Sequence, residues 1–218
     1  MAELITGLES ARVRSNLARV REEIAGAGRD PADVQILAAV KYLAAEELGA
    51  LAGAGIRLVG ENRAQELERK ATAWEGRADL TWDFIGHLQS RKVRQVLPFV
   101  RYIHSVASDS VLRELGKHGR PETEVLVEVN VAGEEAKSGI APAELDDFVA
   151  RCPVRVVGLM TMPPMAEDPE ESRRWFAALA ALAAERGLRE LSMGTSQDYV
   201  VAAQEGATIV RLGTVLYR

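Results

Sequence analysis

The sequence predicts an α/β protein folded as a TIM-type (β/α)8 barrel, and three observations carry that expectation. Eight strand-like runs recur along the 218 residues, at 35–40, 57–60, 81–86, 102–106, 124–130, 154–162, 190–193 and 208–212. Helical patterns separate them, and a strand that returns through a helix pairs parallel with its predecessor by a right-handed crossover. No composition break or Pro/Ser-rich linker interrupts the alternation, so residues 1–218 read as a single domain near the compact end of the barrel class. A doubly wound open sheet is the competing arrangement.

The elements follow in order. A helix is expected over 3–25, where Val13, Leu17, Val20 and Ile24 form an apolar stripe, Arg12, Arg19 and Glu23 face away, and Gly26 and Gly28 stop it. The turn signal Asp30-Pro31 opens the first strand, an apolar run that ends abruptly in Lys41. Helices are expected at 44–54, 64–74, 89–97, 108–118, 141–150, 169–186 and 198–205. In the run Asp168-Pro169-Glu170-Glu171, Asp is the N-cap, Pro takes the first helical position and Glu171 completes a capping box; Trp175, Leu179 and Leu182 then face the core. The chain stops at Arg218, so no full helix is expected after the eighth strand, and the extra N-terminal helix is expected to cover that gap.

Composition excludes several classes of function. Hydrophobic residues make up 47% and charged residues 27%, the profile of a globular protein with a full core. The net charge of −5 argues against a general nucleic-acid binder. Cys152 is the only cysteine, which leaves no intrachain disulfide or cysteine-rich metal site, and its place before Pro153 reads as structural. No metal site is expected. No apolar signal region and no membrane-length apolar run occurs, so a cytoplasmic location without membrane contact is expected.

Active sites of such barrels lie at the C-terminal ends of the strands. Those ends carry Lys41, Glu61-Asn62, Gly86-His87, His104-Ser105, Asn130, Met160-Thr161, Ser192 to Ser196 and Arg211 to Thr214. Each has an ordinary explanation: Lys41 can snorkel, His87 and His104 can be structural, Asn130 can turn the chain, and Glu61 can pair with a neighbouring Arg. Their convergence is what carries weight. Ser192-Met193-Gly194-Thr195-Ser196 and Arg211-Leu212-Gly213-Thr214 set glycines and hydroxyls where helices begin, and barrels of this class often hold a phosphate between the seventh and eighth loops. A buried Lys41 across the mouth from a phosphate site suggests a phosphorylated aldehyde bound as an imine. Pyridoxal 5′-phosphate is the commonest such group, and a phosphosugar on a Schiff-base aldolase is the competitor.

Several longer segments support the first. They are Leu37-Ala38-Ala39-Val40-Lys41, Gly60-Glu61-Asn62 with Gln65-Glu66, and Trp82-Asp83-Phe84-Ile85-Gly86-His87-Leu88-Gln89. Val129-Asn130 with Lys137-Ser138-Gly139-Ile140 follows, then Gly158-Leu159-Met160, Leu191 to Ser196 with Asp198, and Val210 to Thr214. In this order and over essentially the whole chain, they resemble the pyridoxal phosphate homeostasis proteins, relatives of the N-terminal domain of alanine racemase. The resemblance implies that Lys41 forms the internal aldimine and that Ser196, Gly213 and Thr214 hold the phosphate, with backbone help near Gly194 and Thr195 and with Ser192 in the same segment. It implies that Arg211 faces the pyridine nitrogen and that Asn62 and His87 line the ring or its approach. One departure stands out. The family pattern Ser-Lys-x-Lys-Pro is here Val40-Lys41-Tyr42-Leu43-Ala44, so a transfer or secondary-site role resting on the second Lys is not implied.

Racemisation needs acid/base groups on both faces of a carbanion. Alanine racemase takes one of them, a Tyr, from the partner subunit's C-terminal β-domain, and this chain ends directly after the barrel. The expectation is therefore a carrier or buffer in pyridoxal phosphate homeostasis that serves apoenzymes, most simply as a monomer. A weak amino-acid racemase and a Schiff-base aldolase are the alternatives. Burial is expected to lower the Lys41 pKa and supply the free amine for condensation.

Overall fold

The computed structural model describes residues 4–74, 79–134 and 138–218, so Lys137 of the quoted motifs lies outside the described residues. Eight parallel strands close on themselves in sequence order, which settles the architecture as a barrel rather than an open sheet. They are β1 (Gln35–Ala39), β2 (Leu58–Glu61), β3 (Thr81–Phe84), β4 (Tyr102–Val106), β5 (Glu124–Glu128), β6 (Arg155–Met160), β7 (Glu190–Ser192) and β8 (Ile209–Leu212). Leu37 of β1 lies opposite both Leu58 of β2 and Arg211 of β8, the register that seals the ring.

Strand periodicity sorts the side chains into two compartments. Leu37, Leu58 and Ile209 form a separate buried cluster inside the barrel, with Ile85 and Tyr102 packed against it. Alternate residues such as Ala38, Val59, Ile103, Val125, Val210 and Leu212 face the larger core beneath the helices. Strands β3, β5 and β6 stop at Phe84, Glu128 and Met160, short of the apolar runs, and the remaining residues turn into the loops of the mouth.

The helices are α1 (Ser10–Gly26), α2 (Leu48–Gly53), α3 (Ala64–Ala73), α4 (Val93–Val96), α5 (Asp109–His118), α6 (Leu145–Arg151), α7 (Arg173–Glu185), α8 (Tyr199–Gln204) and α9 (Thr214–Tyr217). Helix α1 buries Val13, Leu17, Val20 and Ile24, as the stripe requires, and packs against α2, α8 and α9. It fills the place of a full eighth outer helix, since α9 is a single turn.

Its start at Ser10 rather than residue 3 is a correction. The preceding residues run across the mouth instead: the Ile5 amide donates to the Tyr42 carbonyl at 2.8 Å, and Gly7 adopts φ +71°, where a side chain is disfavoured. The Glu47 carboxylate takes the Gly7 and Leu8 amides at 2.8 and 2.7 Å, anchoring the segment before the helix.

Helix α7 is also corrected. Asp168 caps, but it accepts from the Glu170 amide at 2.9 Å and opens a 3-10 turn over Pro169–Ser172 instead of a capping box with Glu171. Where α7 packs on β6, β7 and α8, the buried face is Phe176, Leu179 and Ala183. Trp175 is half-buried under the Arg174 guanidinium, 4.4 Å from its ring centre, and Leu182 is only partly covered. Cys152 packs partly against the core, and burial pushes its thiol pKa up, in keeping with a structural role. No helix among the described residues is long and apolar enough to cross a membrane.

Candidate functional site

A cavity of about 1280 Å³ opens at the C-terminal mouth of the barrel. Lys41, Asn62, His87, Thr195, Ser196, Arg211, Gly213 and Thr214 all line it. Lys41 lies two residues past β1 and is exposed, with Nζ 5.0 Å from the centre of the Tyr42 ring. The expectation of a buried amine is thereby corrected: β1 ends at Ala39, and Lys41 falls in the turn beyond the covered strand.

Arg211 is the opposite case. It projects inward from β8 and is buried, donating from Nη1 to the Ser192 carbonyl at 2.7 Å and hydroxyl at 2.6 Å, and from Nη2 to the Thr161 carbonyl at 2.9 Å. Burial lowers its pKa to about 10, against the pull of Glu128 and Asp198, so it remains a cation at neutral pH. Ser192 continues inward: its hydroxyl lies 2.8 Å from His104 Nδ1, and His104 Nε2 lies 3.0 Å from Asp83 Oδ2. Arg101 closes the file with bonds of 3.1 and 2.7 Å to the Asp83 carboxylate.

The donor count assigns the protons along this file. A guanidinium can only donate and an ionised carboxylate can only accept, so Ser192 Oγ accepts from Arg211 and the neutral His104 carries its hydrogen on Nε2, facing Asp83. His104 Nδ1 is then an acceptor and takes the Ser192 hydrogen. Burial holds the His104 pKa below the ordinary histidine value, although Asp83 pulls the other way. Burial alone would raise Asp83, but the hydrogen bonds from His104 and Arg101 and the charge of Arg101 outweigh it and keep the carboxyl below its usual range. His104 is thus a satisfied structural histidine, and Ser192 supports the cavity from behind instead of lining it.

The seventh and eighth loops are tied together at their tips. Ser196 Oγ accepts from the Gly213 amide at 3.1 Å and the Val215 amide at 3.4 Å. A Cβ added at Gly213 would meet nothing nearer than 4.0 Å, so the glycine leaves its backbone open on the cavity side. Gly194 lies outside the lining. Its φ of +91° and the Ala202 Cβ, 2.6 Å from where its own Cβ would be, explain why the position is glycine. Thr195 lines the cavity, and its amide donates to Asp198 Oδ1 at 2.7 Å.

Asn62 and His87 sit on the β2 and β3 sides, with His87 exposed. Asn62 Oδ1 is buried without a hydrogen-bond partner, a state that a polar ligand in the cavity would relieve. Gly86 lets the two loops touch, since a Cβ there would fall 2.0 Å from the Asn62 carbonyl oxygen. Asn130 turns the chain through its side-chain bonds to the Glu134 backbone at 2.8 and 3.2 Å, and Glu61 pairs with Lys70 instead of an Arg.

Sequence reasoning passed over Glu128 and Tyr217, which also line the cavity. Glu128 is a carboxylate inside an apolar strand, held by the Ser138 hydroxyl at 2.5 Å, and a charge in such a run was the available signal. Tyr217 is buried and donates to the Ala39 carbonyl at 3.1 Å; nothing local marks it. One amine, one anchored guanidinium, paired hydroxyl-bearing loops and an unsatisfied amide oxygen form a set of donors and acceptors that fits a phosphorylated aldehyde with a ring nitrogen.

Residues 8–218 match the family described as alanine racemase, N-terminal domain. The chain is 39% identical to the pyridoxal phosphate homeostasis protein of Aquifex aeolicus (strain VF5), covering 94% of this chain and 96% of that one. The structure of PipY from Synechococcus elongatus PCC7942 with PLP bound superposes with a TM-score of 0.79 at 32% identity, over 94% of this chain and 100% of that chain. A lysine/ornithine decarboxylase from Vibrio vulnificus shares the fold alone, with a TM-score of 0.72 at 15% identity over 96% of this chain and 62% of that chain.

Proposed function

The chain belongs to the family of pyridoxal phosphate homeostasis proteins, built on the alanine racemase N-terminal domain, and from that premise we propose that it carries pyridoxal 5′-phosphate reversibly without turning over a substrate. The observation behind this is that Lys41, Arg211 and the loops joined by Ser196 line one cavity. Ser196, Gly213 and Thr214 would hold the phosphate, Arg211 the ring nitrogen, and Asn62 and His87 the ring edge and its approach. Ser192, Gly194 and Thr195 hold these groups in shape. A cation facing the ring nitrogen keeps it unprotonated, which weakens the ring as an electron sink.

The bound group supplies an aldehyde that a neutral amine captures with loss of one water, and hydrolysis returns both. Lys41 provides the amine, and its exposure gives water and incoming amines access to it. The same open mouth disfavours carbanion chemistry, which calls for exclusion of water. We place this carrier in the cytoplasm as a monomeric single domain that serves apoenzymes.

The test is direct. Protein incubated with pyridoxal 5′-phosphate should gain a visible absorption band, and borohydride should fix the cofactor on the peptide carrying Lys41. Lys41→Ala should lose that band and bind the cofactor about 10-fold or more weakly, through the phosphate alone. Failure of the intact chain to bind the cofactor would sink the proposal. Robust deuterium exchange with inversion at Cα of L- or D-alanine would replace the carrier with a racemase.

A further inference from the structure

Helix α3 carries a cation on its buried face. Lys70 is 1% exposed and its partner Glu61 is 0% exposed, with Nζ 2.6 Å from Glu61 Oε2. Taking two charges out of water offsets most of what their attraction returns, so such a pair is poorly explained by stability alone. Its remaining bonds show what it holds. Lys70 Nζ also donates to the Val40 carbonyl at 2.6 Å, and Val40 immediately precedes Lys41. Glu61 Oε1 accepts the Asn62 amide at 2.7 Å and the Arg63 amide at 3.3 Å.

We propose that the Lys70–Glu61 pair is the positioning clamp of the cavity, fixing the backbone under Lys41 and under Asn62 as one unit. This rests on the assignment of Lys41 as the reacting amine. The pair joins the C-terminal ends of β1 and β2 where the ladder gives out. Val40 keeps one rung, its amide donating to the Gly60 carbonyl at 2.9 Å, and past it the chain turns away. A mobile side chain such as Lys41 can meet an aldehyde reproducibly only if its Cα is fixed, and misplacement by about 1 Å can cost about 100-fold in rate. Lys70 itself is sealed from the cavity and does not compete as the amine.

Removing one charge would strand the other, so the informative variant removes both: Lys70→Met with Glu61→Gln. Two readouts separate positioning from general support. Pyridoxamine 5′-phosphate, which lacks the aldehyde, reports binding through phosphate and ring. The rate of borohydride-trappable attachment of pyridoxal 5′-phosphate reports presentation of Lys41. Positioning predicts a rate lower by about 10-fold or more, with pyridoxamine 5′-phosphate affinity within about threefold of the parent. An unchanged rate, or an equal fall in both, overturns the proposal.

Amide hydrogen exchange on the unaltered, unloaded protein gives an answer even if the double variant does not fold. The Asn62 and Arg63 amides should exchange as slowly as the barrel strands, and exchange at exposed-loop rates overturns the clamp. Should the unaltered chain never attach the cofactor at Lys41, the functional assignment fails, while the exchange result still decides the clamp.

Discussion

Arg211 keeps its place because three buried acceptors share its guanidinium, and one of them is the Ser192 hydroxyl. Ser192→Ala should remove a bond from Arg211 and another from His104, leaving buried polar atoms unsatisfied at a cost of about 1–3 kcal/mol. Chemical denaturation measures this, and a variant as stable as the parent would show that the hydroxyl is dispensable. Most of the candidate set was legible as residue types at strand ends, because polar groups and glycines there stand out against apolar runs. Exposure was not legible. Lys41 follows a buried strand in sequence yet lies in the open, since its burial depends on where β1 ends. Lys70 did leave a trace: it falls three residues after Leu67 and six after Ala64, on the stripe that α3 buries. A lysine on that stripe has no reason to be there without a partner, but the partner, Glu61, belongs to another element.

Among the elements, α1 shows how an amphipathic stripe is read correctly while its boundary is not. The four buried residues follow from helical spacing, whereas the start is set by Glu47, 40 and 39 residues away from the two amides it binds. Because α1 stands in for a full eighth outer helix, its core face should matter as much as that of any barrel helix. Ile24→Ala, at a fully buried position, should lower stability by about 2–5 kcal/mol by denaturant titration. A loss within a few tenths would mean that α1 is packed loosely against α8 and α9. In α7 the same spacing argument chose Trp175 where the structure buries Phe176; both stripes pass through Leu179, and packing on β6, β7 and α8 selects the one with Phe176.

Across the whole molecule, the file from Arg101 through Asp83, His104 and Ser192 to Arg211 crosses the barrel interior and links strands that are not sequence neighbours. It also sets an expected acid response. The folded His104 resists protonation while the unfolded chain takes up the proton near about pH 6.5. Below that value the unfolded state binds more protons, so stability is fully present above about pH 6.5 and falls as the pH drops. Asp83, held below its ordinary value, adds to the loss at still lower pH, below about 4. The melting temperature should therefore fall between about pH 7.5 and about pH 5.5, and the fall should shrink in His104→Gln; equal slopes in both would exclude His104 as the source. Periodicity and residue type are local properties, so the eightfold alternation, the apolar faces and the chemistry at each strand end could be read along the chain. Which polar groups meet depends on the closed fold. His104 and Ser192 are 88 residues apart and Lys70 and Val40 are 30 apart, and closure of the ring sets the distances between them.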